Sequence, residues 1–518
     1  MKQNLGKIIL EDIIEHKMPL RKVLTIIIFT FHLIPLNAKS PYELKFIQNV
    51  SQTNLQQTVR DLVKIGNRLG GTKSGDKSAR YIYRKFLLYG YKPVIVEEPE
   101  KLTYAHKNWK LKVLKPKKLS GLIKNEWLAG FSPSAICDTA RLVFVDNIKE
   151  VEEDSIRGNA VLFERHLTEE DYEKFGEINV KCILNYRAGV PTASSDCAII
   201  STLKESANNP MPVFNVPANT GERLKSELEK GKEIIIQYSA VTDIKPGSPK
   251  TVIATLQGKS EDYYIVCAHG DSDSGGPGAD DNASGVSAVL EIARIFKLLV
   301  DSRRLTQPNF SIKFIIWGSE CYSSSNFVKK NANELNQILG VINIDEVGIG
   351  KGRNCIYFEG NDISYNKELL EVFQEVGENY AGKKGFWKEA TTCPNLQAIE
   401  SRSLINLLRE LLGGTQLQGS TDSYVFLPKY QSELGVPKVE IPTITVFTAA
   451  WNKPRSMLQT QGWVSRAWNG NPDSVIIDYS PFYHSSLDIP LFTTDKEPAN
   501  MVWAVNAVGI SLIRLLWQ

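Results

Sequence analysis

The stretch Tyr263–Phe296 limits the possible folds more than any other, because it joins an apolar strand to an apolar helix through a loop of glycine and aspartate. The pattern predicts a strand over Tyr264–Ala268 and a helix over Val286–Phe296. His269 and Asp271 follow the strand at its carboxyl end, where open α/β sheets bind ligands. An imidazole and several carboxylates in such a crevice suit a divalent metal. The stretch therefore predicts a metal-centred hydrolase.

Downstream of residue 249 the sequence alternates between strand-like and helix-like segments. The strand-like segments are Thr251–Thr255, Tyr263–Ala268, Ser311–Trp317, Leu339–Ile344, Ile356–Phe358 and Thr443–Phe447. The helix-like segments are Val286–Val300, Lys367–Tyr380, Ser403–Leu412 and Ala499–Leu516. This alternation predicts an α/β fold with a mainly parallel sheet flanked by helices on both faces.

A region with a different pattern of predicted secondary structure interrupts this alternation. From about Lys101, short strands separated by turns replace the long helices, one of them predicted at Ile178–Leu184. The segment Lys245–Lys250, with two prolines and a glycine, marks the end of the region. We therefore predict four segments: 1–38 as a signal peptide or anchor, 39–100 as the first part of the α/β domain, 101–248 as a β-rich insert, and 249–518 as the main part of the α/β domain.

The N-terminal segment has the pattern of an export signal. Lys17, Arg21 and Lys22 precede the apolar run Val23–Leu36, which has the length of a signal-peptide core and is short for a bilayer span. Ala38 is the small residue that a cleavage site requires. The protein is therefore expected to be secreted or to lie in the lumen of the secretory pathway. It would be attached to a membrane only if this segment stays uncleaved.

Three asparagines begin N-x-[ST] sequons. Asn49 and Asn309 predict a glycoprotein if the host glycosylates exported proteins. Asn282 lies within the loop that carries the proposed site, and we therefore expect it to be unmodified.

The overall composition excludes two other classes of protein. Lysine and arginine number 61 against 58 aspartates and glutamates, and a net charge of +3 gives no electrostatic argument for binding nucleic acid. Seven cysteines in 518 residues are too few for a disulfide scaffold.

Three further segments place possible metal ligands directly after predicted strands or in a turn. Glu320 and Cys321 follow one strand, and Asp345 follows the next strand along the chain. His484 lies near the C-terminus in a predicted turn that reaches Asp488. These segments supply the side chains that a metal site begun by His269 would still need.

A paired metal centre explains why these residue types would be needed together. Two divalent ions about 3.5–4 Å apart can bind a water between them, lower its pKa and polarise a peptide carbonyl. One carboxylate must bridge the ions, and an unligated carboxylate must take the proton from the water. His269, Asp281, Asp345 and His484 can fill the ligand roles, and Glu320 is the natural general base.

These motifs together resemble those of the M28 family of zinc exopeptidases, with a protease-associated insert. The matching segments are Ala268–Asp271 (AHGD), Gly278–Gly285 (GADDNASG), Gly318–Cys321 (GSEC), Asn343–Asp345 (NID), His484–Asp488 (HSSLD) and, near the start of the chain, Gly66–Gly71 (GNRLGG). The resemblance covers most of residues 55–516. It implies a zinc-exopeptidase-like fold, a peptide substrate and zinc as the cofactor.

The resemblance also implies a set of metal ligands. His269 and Asp345 would hold one zinc ion, His484 and the residue at position 321 would hold the other, and Asp281 would bridge the two. Two zinc ions are therefore expected, with a single ion as the alternative.

Further roles are implied for residues around the metals. Asp271 would orient His269 through the ring N–H, a role with a general physical basis. Glu320 would be the general base, and the Asp281–Asn282 peptide would be cis. Tyr424 follows a loop that resembles the substrate side of the family's site, and it is a predicted substrate contact.

Cys321 departs from the family's pattern, which has two adjacent glutamates. Alignment from Trp317 puts Glu320 at the base position and Cys321 at the ligand position, where a thiolate can bind zinc. Alignment shifted by one residue would make Glu320 the ligand and Ser319 the base, a task that serine cannot perform. Glu346 also follows Asp345 where an apolar residue is more usual.

The leading hypothesis is an exported zinc-dependent exopeptidase that hydrolyses terminal peptide bonds, and more specifically an aminopeptidase. The alternative, motivated by Cys321, is a catalytically impaired pseudopeptidase that acts as a binding protein. A third hypothesis is a reaction like that of glutaminyl cyclases, which use a related fold with one zinc. The β-rich insert and the longer chain disfavour it.

Overall fold

The computed structural model describes residues 40–186, 193–272, 274–350, 352–360, 363–393, 421–450 and 477–517. The predicted leader and the predicted helix Ser403–Leu412 lie outside these residues. The strands of the described residues are β1 (Val94–Glu97), β2 (Lys101–Lys115), β3 (Trp127–Leu128), β4 (Ala135–Val145), β5 (Ala160–Phe163), β6 (Cys182–Asn185), β7 (Val213–Asn215), β8 (Ile235–Gly247), β9 (Lys250–Leu256), β10 (Tyr263–His269), β11 (Ser311–Trp317), β12 (Ile338–Ile344), β13 (Cys355–Glu359), β14 (Glu389–Cys393) and β15 (Thr443–Phe447).

The larger sheet has eight strands in the order β1-β9-β11-β10-β12-β15-β13-β14. Strand β10 lies in its interior, pairs in parallel with β11 and β12, and is buried along nearly its whole length. Because the carboxyl ends of these three parallel strands meet at one edge of the sheet, the residues that follow them meet there as well. This arrangement confirms the predicted α/β class.

The larger sheet is mainly parallel, as predicted, but three of its seven strand pairings among the described residues are antiparallel. Strand β9 runs antiparallel to both β1 and β11, and β13 runs antiparallel to β15. The connection from β9 to β10 is only Gln257–Asp262. A connection this short cannot carry a crossover helix, so the two strands must run in opposite directions.

The smaller sheet has seven strands in the order β2-β8-β4-β5-β6-β7-β3, all of them between Lys101 and Gly247. Strands β2 and β8 pair antiparallel, and the first partners are Lys101 and Gly247. The chain therefore leaves the larger sheet and returns to it at the same place.

The strand predicted over Ile178–Leu184 is wrong in its first half. A helix occupies Glu169–Ile178, and the strand begins only at Cys182. Thr168 starts this helix with a capping box, in which its side chain accepts the Asp171 N–H and the Asp171 side chain accepts the Thr168 N–H. The buried apolar side chains of this helix recur at helical spacing. This periodicity favours a helix more strongly than the few β-branched residues near its C-terminal end favour a strand.

The helices of the described residues are α1 (Pro41–Ile47), α2 (Gln52–Ile65), α3 (Lys73–Leu88), α4 (Glu153–Ile156), α5 (Glu169–Ile178), α6 (Ala218–Glu229), α7 (Gly285–Asp301), α8 (Tyr322–Lys330), α9 (Lys367–Tyr380), α10 (Pro428–Glu433) and α11 (Ala499–Leu516). Helix α7 packs on β10 and on α11. Helix α11 is long and apolar enough to cross a membrane, yet 78% of it is buried inside the protein. This burial is typical of a core helix.

Candidate metal centre

His269 is the last residue of β10, and its side chain is buried. Its Nδ1 lies 3.3 Å from Asp271 Oδ1 and 3.1 Å from the Asp271 carbonyl oxygen. Its Nε2 lies 3.3 Å from Asp281 Oδ1 and 3.3 Å from Asp345 Oδ1. One ring nitrogen therefore faces the predicted orienting residue, and the other faces two predicted ligands, as in a metal-binding histidine.

The charge around His269 is strongly negative. Burial by itself lowers the pKa of His269, but Glu320, Asp345, Asp271 and Asp281 together raise that pKa well above its usual value. The imidazole therefore lies where carboxylates attract positive charge, which also favours a metal cation.

Asp281 lies between the two predicted histidine ligands. Its Oδ1 is 3.3 Å from His269 Nε2, and its Oδ2 is 3.0 Å from His484 Nε2. Burial opposes ionisation, but hydrogen bonds to His269 and His484 hold the pKa of Asp281 well below its usual range. The Asp281–Asn282 peptide is cis, as the resemblance implied. A carboxylate with one oxygen toward each histidine has the geometry of a bridging ligand.

Asp488 holds the loop that carries Asp281. Its buried carboxylate accepts the backbone N–H groups of Asp280 at 2.8 Å and of Asp281 at 3.1 Å. Burial raises the pKa of Asp488 to about 7. The sequence placed Asp488 in the His484 turn, but its role in holding the Asp281 loop depends on contacts far apart along the chain.

Arg68 supports the same loop from the other side. Its guanidinium is buried and donates to the carbonyl oxygens of Gly66, Gly270, Pro277 and Gly278 at 2.8–3.0 Å. Burial lowers the pKa of Arg68 to about 10, although nearby aspartates oppose the shift. The GNRLGG segment was recognised in the sequence, but the contribution of its arginine to the site was not.

Glu320 lies beside one half of the metal site. The ligand atoms of Glu320, His269 and Asp345 all lie within 4.8 Å of one another. The Glu320 N–H donates to Asp271 Oδ1 at 3.1 Å, and Thr421 Oγ1 donates to Asp345 Oδ2 at 2.9 Å. Glu320 also lines a cavity of about 460 Å³. The predicted base is therefore next to both the ligands and a space for substrate.

Cys321 lines the same cavity as Glu320 but, like Asp281 and His484, is not in the group formed by Glu320, His269 and Asp345. Cys321 has a left-handed backbone with φ of 52°, and α8 begins at the next residue. Its side chain packs against an apolar cluster that includes Cys267 and Trp317. Its N–H donates to Asp422 Oδ1 at 2.9 Å. The partly buried side chain thus lies between the core and the cavity, and its role as a zinc ligand stays a prediction.

Two buried carboxylates near the site were not assigned from the sequence. Asp280 and Glu346 are 1% and 4% exposed, and Asp280 Oδ2 and Glu346 Oε1 have no hydrogen-bond partner in the described part of the chain. Burial, followed by neighbouring carboxylates, raises the pKa of both groups well above the usual range. Buried carboxylates need paired charge or a metal, so this donor set fits divalent ions. Each adjoins a predicted ligand in the sequence, but only the tertiary structure shows that it is buried.

Tyr424 combines a buried hydroxyl with a position at the cavity wall. Its side chain is 1% exposed, and its hydroxyl donates to Glu359 Oε1 at 2.6 Å. The ring reaches the wall of the cavity beside Glu320, but the hydroxyl is already engaged within the protein. The contact with Glu359 is structural, and the contact of Tyr424 with substrate stays a prediction.

The fold and the site together define a zinc-exopeptidase-like α/β protein, and comparison with known proteins shows which family model part of the chain matches. Residues 251–392 match peptidase family M28. The chain therefore contains an M28 peptidase domain, which confirms the predicted resemblance.

Two curated relatives illustrate the similarity. The chain is 24% identical over 309 residues to leucine aminopeptidase 2 of Arthroderma otae, covering 58% of each protein. It is 31% identical over 148 residues to aminopeptidase YwaD of Bacillus subtilis, covering 27% of this chain and 29% of that protein. The matches thus span less than two thirds of these relatives.

Solved structures share the fold. An aminopeptidase from Aneurinibacillus sp. strain AM-1 superposes with a TM-score of 0.53 at 18% identity, covering 92% of this chain and 96% of that one. BSAP, a zinc aminopeptidase from Bacillus subtilis, gives a TM-score of 0.55 at 18% identity, covering 90% and 95%. These likenesses confirm the fold class.

Proposed function

We propose that the protein is a zinc-dependent aminopeptidase, which hydrolyses the first peptide bond of its substrates. The observation that carries the proposal is the position of His269 Nε2, 3.3 Å from carboxylate oxygens of both Asp281 and Asp345, with Glu320 in the same group. The similarity to proteins named leucine aminopeptidase and zinc aminopeptidase supports the same activity.

The roles of the chain's own residues follow from their positions. Zinc, when bound, would polarise the substrate carbonyl and lower the pKa of a water. Glu320 would accept the proton of the attacking water and then deliver it to the leaving amine. Asp271 holds His269 Nδ1, so that Nε2 faces the metal position, and it also accepts the Glu320 N–H. One aspartate thereby aligns a ligand and the base.

We propose two zinc positions with unequal ligand sets. His269 and Asp345 would hold the first ion, and His484 would hold the second, with Asp281 between them. Because Cys321 packs against the apolar cluster, the second ion would have fewer protein ligands. We therefore expect it to bind more weakly than the first.

The test of this activity is hydrolysis of N-terminally free peptides by the purified, zinc-loaded protein and by Glu320→Gln. Glutamine keeps the size of the side chain but cannot accept a proton, and loss of a general base lowers the rate by about 10²–10⁴-fold. Glu205→Gln is the matched control, because Glu205 lines the same cavity without belonging to the group of possible ligands. Equal rates for the wild type and Glu320→Gln would refute the assignment.

A second candidate function, a binding protein without catalysis, is favoured by the position of Cys321. A site that holds only one ion would keep the cavity beside Glu320 while losing turnover. Zinc content distinguishes the two functions. Fewer than two ions per chain with no turnover favours the binding protein, and recovery of a second ion together with activity in Cys321→Glu would assign the loss to this residue.

We further propose that the protein is exported, on the strength of the basic residues and apolar run in its first 38 residues. Sequencing the N-terminus of the protein recovered from culture medium tests this proposal. A new N-terminus near residue 39 is expected, and retention of the whole protein in the cytosolic fraction would contradict export.

A further inference from the structure

The smaller sheet's domain contacts the turn that carries His484 through a short segment, Ser194–Ile200. The Ser194 N–H donates to the Pro481 carbonyl at 2.9 Å, and the Ile200 N–H donates to the His484 carbonyl at 2.7 Å. Ile199 also forms an antiparallel bridge with Ser485. The turn is therefore held by main-chain hydrogen bonds at His484 itself and at the residue three positions before it.

Ser486 joins the turn to two parts of the insert. The Ser486 N–H donates to the Ala198 carbonyl at 2.9 Å, and the Ala198 N–H donates back to Ser486 Oγ at 3.1 Å. Ser486 Oγ in turn donates to the Asn125 carbonyl at 2.7 Å. The residue is 6% exposed, so these bonds are shielded from water.

His484 depends on such support more than the other proposed ligands do. His269 and Asp345 are anchored at strands β10 and β12, whereas His484 comes from a turn and its side chain is 26% exposed. Its φ of 47° lies in the left-handed region, which is unfavourable for a residue with a side chain. Bonds on both sides of such a residue hold its backbone and thereby aim its imidazole.

We infer that the insert is a structural part of the metal site, in which Ser486 and the segment Ser194–Ile200 position His484 for the second zinc ion. This inference rests on the proposed function, since it requires the two zinc positions. Ser486 is a positioning residue, because it acts on the metal only through His484. The insert would thereby set the affinity of the weaker ion.

The test compares Ser486→Ala with Ser132→Ala by titration with zinc. Ser132 is a matched control within the insert, because its buried Oγ likewise donates to one carbonyl and accepts one N–H, both of Val213. Ser486→Ala is expected to weaken binding of the second zinc about 10–100-fold, the usual effect of removing support for a ligand. Binding of the first zinc, and both affinities in Ser132→Ala, should not change.

The absorption spectrum of the cobalt-substituted protein gives a second readout, since a displaced histidine alters the bands of the weaker site. Equal zinc affinities and equal spectra in the wild type and Ser486→Ala would overturn the inference while the proposed function stands. A wild-type protein that binds no zinc would overturn both.

Hydrogen exchange on the wild-type protein covers the case in which Ser486→Ala does not fold. Linkage is reciprocal, so zinc at the His484 position must stabilise the bonds that hold the turn. Chelation of zinc is expected to speed exchange at the Ala198 and Ile200 amides but not at the Val213 amide, which bonds to Ser132. Unchanged exchange at Ala198 and Ile200 would overturn the inference.

Discussion

Replacement of Arg68 by lysine tests whether the guanidinium holds the metal-site loops. Arg68 is buried and makes four hydrogen bonds, one each to the carbonyl oxygens of Gly66, Gly270, Pro277 and Gly278. These four carbonyl oxygens surround the planar guanidinium, whose N–H groups point in different directions. Lysine keeps the positive charge but concentrates its three donors at one nitrogen.

The expected loss follows from the number of bonds. An ammonium group in place of the fork can reach about two of the four carbonyls, and each lost bond to a charged donor costs about 1.5–3 kcal/mol. The variant should therefore be less stable by about 3–6 kcal/mol. No discount for solvent is needed, because the side chain is 1% exposed.

Urea unfolding of the zinc-free protein measures this loss, and zinc titration measures its effect on the site. Arg60→Lys is the control, because Arg60 also makes a two-bond contact, with Asp495, but is half exposed. An exposed pair contributes about 0–1 kcal/mol, so the control should be nearly neutral. If Arg68→Lys and Arg60→Lys unfold at the same urea concentration as the wild type, Arg68 does not hold these loops.

Three further predictions concern the site and its surroundings. Gly285→Ala should abolish zinc binding, because a Cβ would collide with the Ile344 carbonyl and Asn282 Oδ1, whereas Gly121→Ala, with open space around it, should bind zinc normally. Tyr424→Phe should destabilise the protein by about 1–3 kcal/mol, because it loses the hydrogen bond to Glu359. Its KM should stay unchanged. A large rise in KM would instead show that Tyr424 contacts the substrate. Burial raises the pKa of Asp422 to about 7, so the folded protein holds a proton that the unfolded chain releases near pH 4. The free energy of unfolding of the zinc-free protein should therefore fall as the pH rises from 4 to 7. Asp422→Asn should remove about 4 kcal/mol of that fall, and parallel urea stability profiles for the two proteins would contradict it.

Several elements could be predicted from the sequence because their signals are local. The boundaries of β11, β15, α9 and α11 agree with the predicted ones, since each is a continuous apolar run or a regular helical periodicity between clear breaks. The mixed directions in the larger sheet could not be predicted in this way. Direction depends on which strands become neighbours, and β9 enters the sheet beside β11 rather than beside the strand that follows it.

The candidate site shows the same division. His269, Asp281, Asp345 and Glu320 were recognisable because each lies in a short motif next to a strand or loop, and the structure brings them together. Cys321 follows Glu320 directly and has a left-handed backbone, and its side chain packs against the apolar cluster and lines the cavity beside Glu320. Its role as a ligand stays a prediction.

The sequence by itself determined the class of fold, the family resemblance and the set of chemically suitable residues, because side-chain type and spacing carry that information. Only the tertiary structure decided which groups share the buried space. It placed Asp488 and Arg68 against the loop that carries Asp281, and the insert against His484. The physical reason is that burial and charge interact through space, so groups far apart along the chain set the properties of one site.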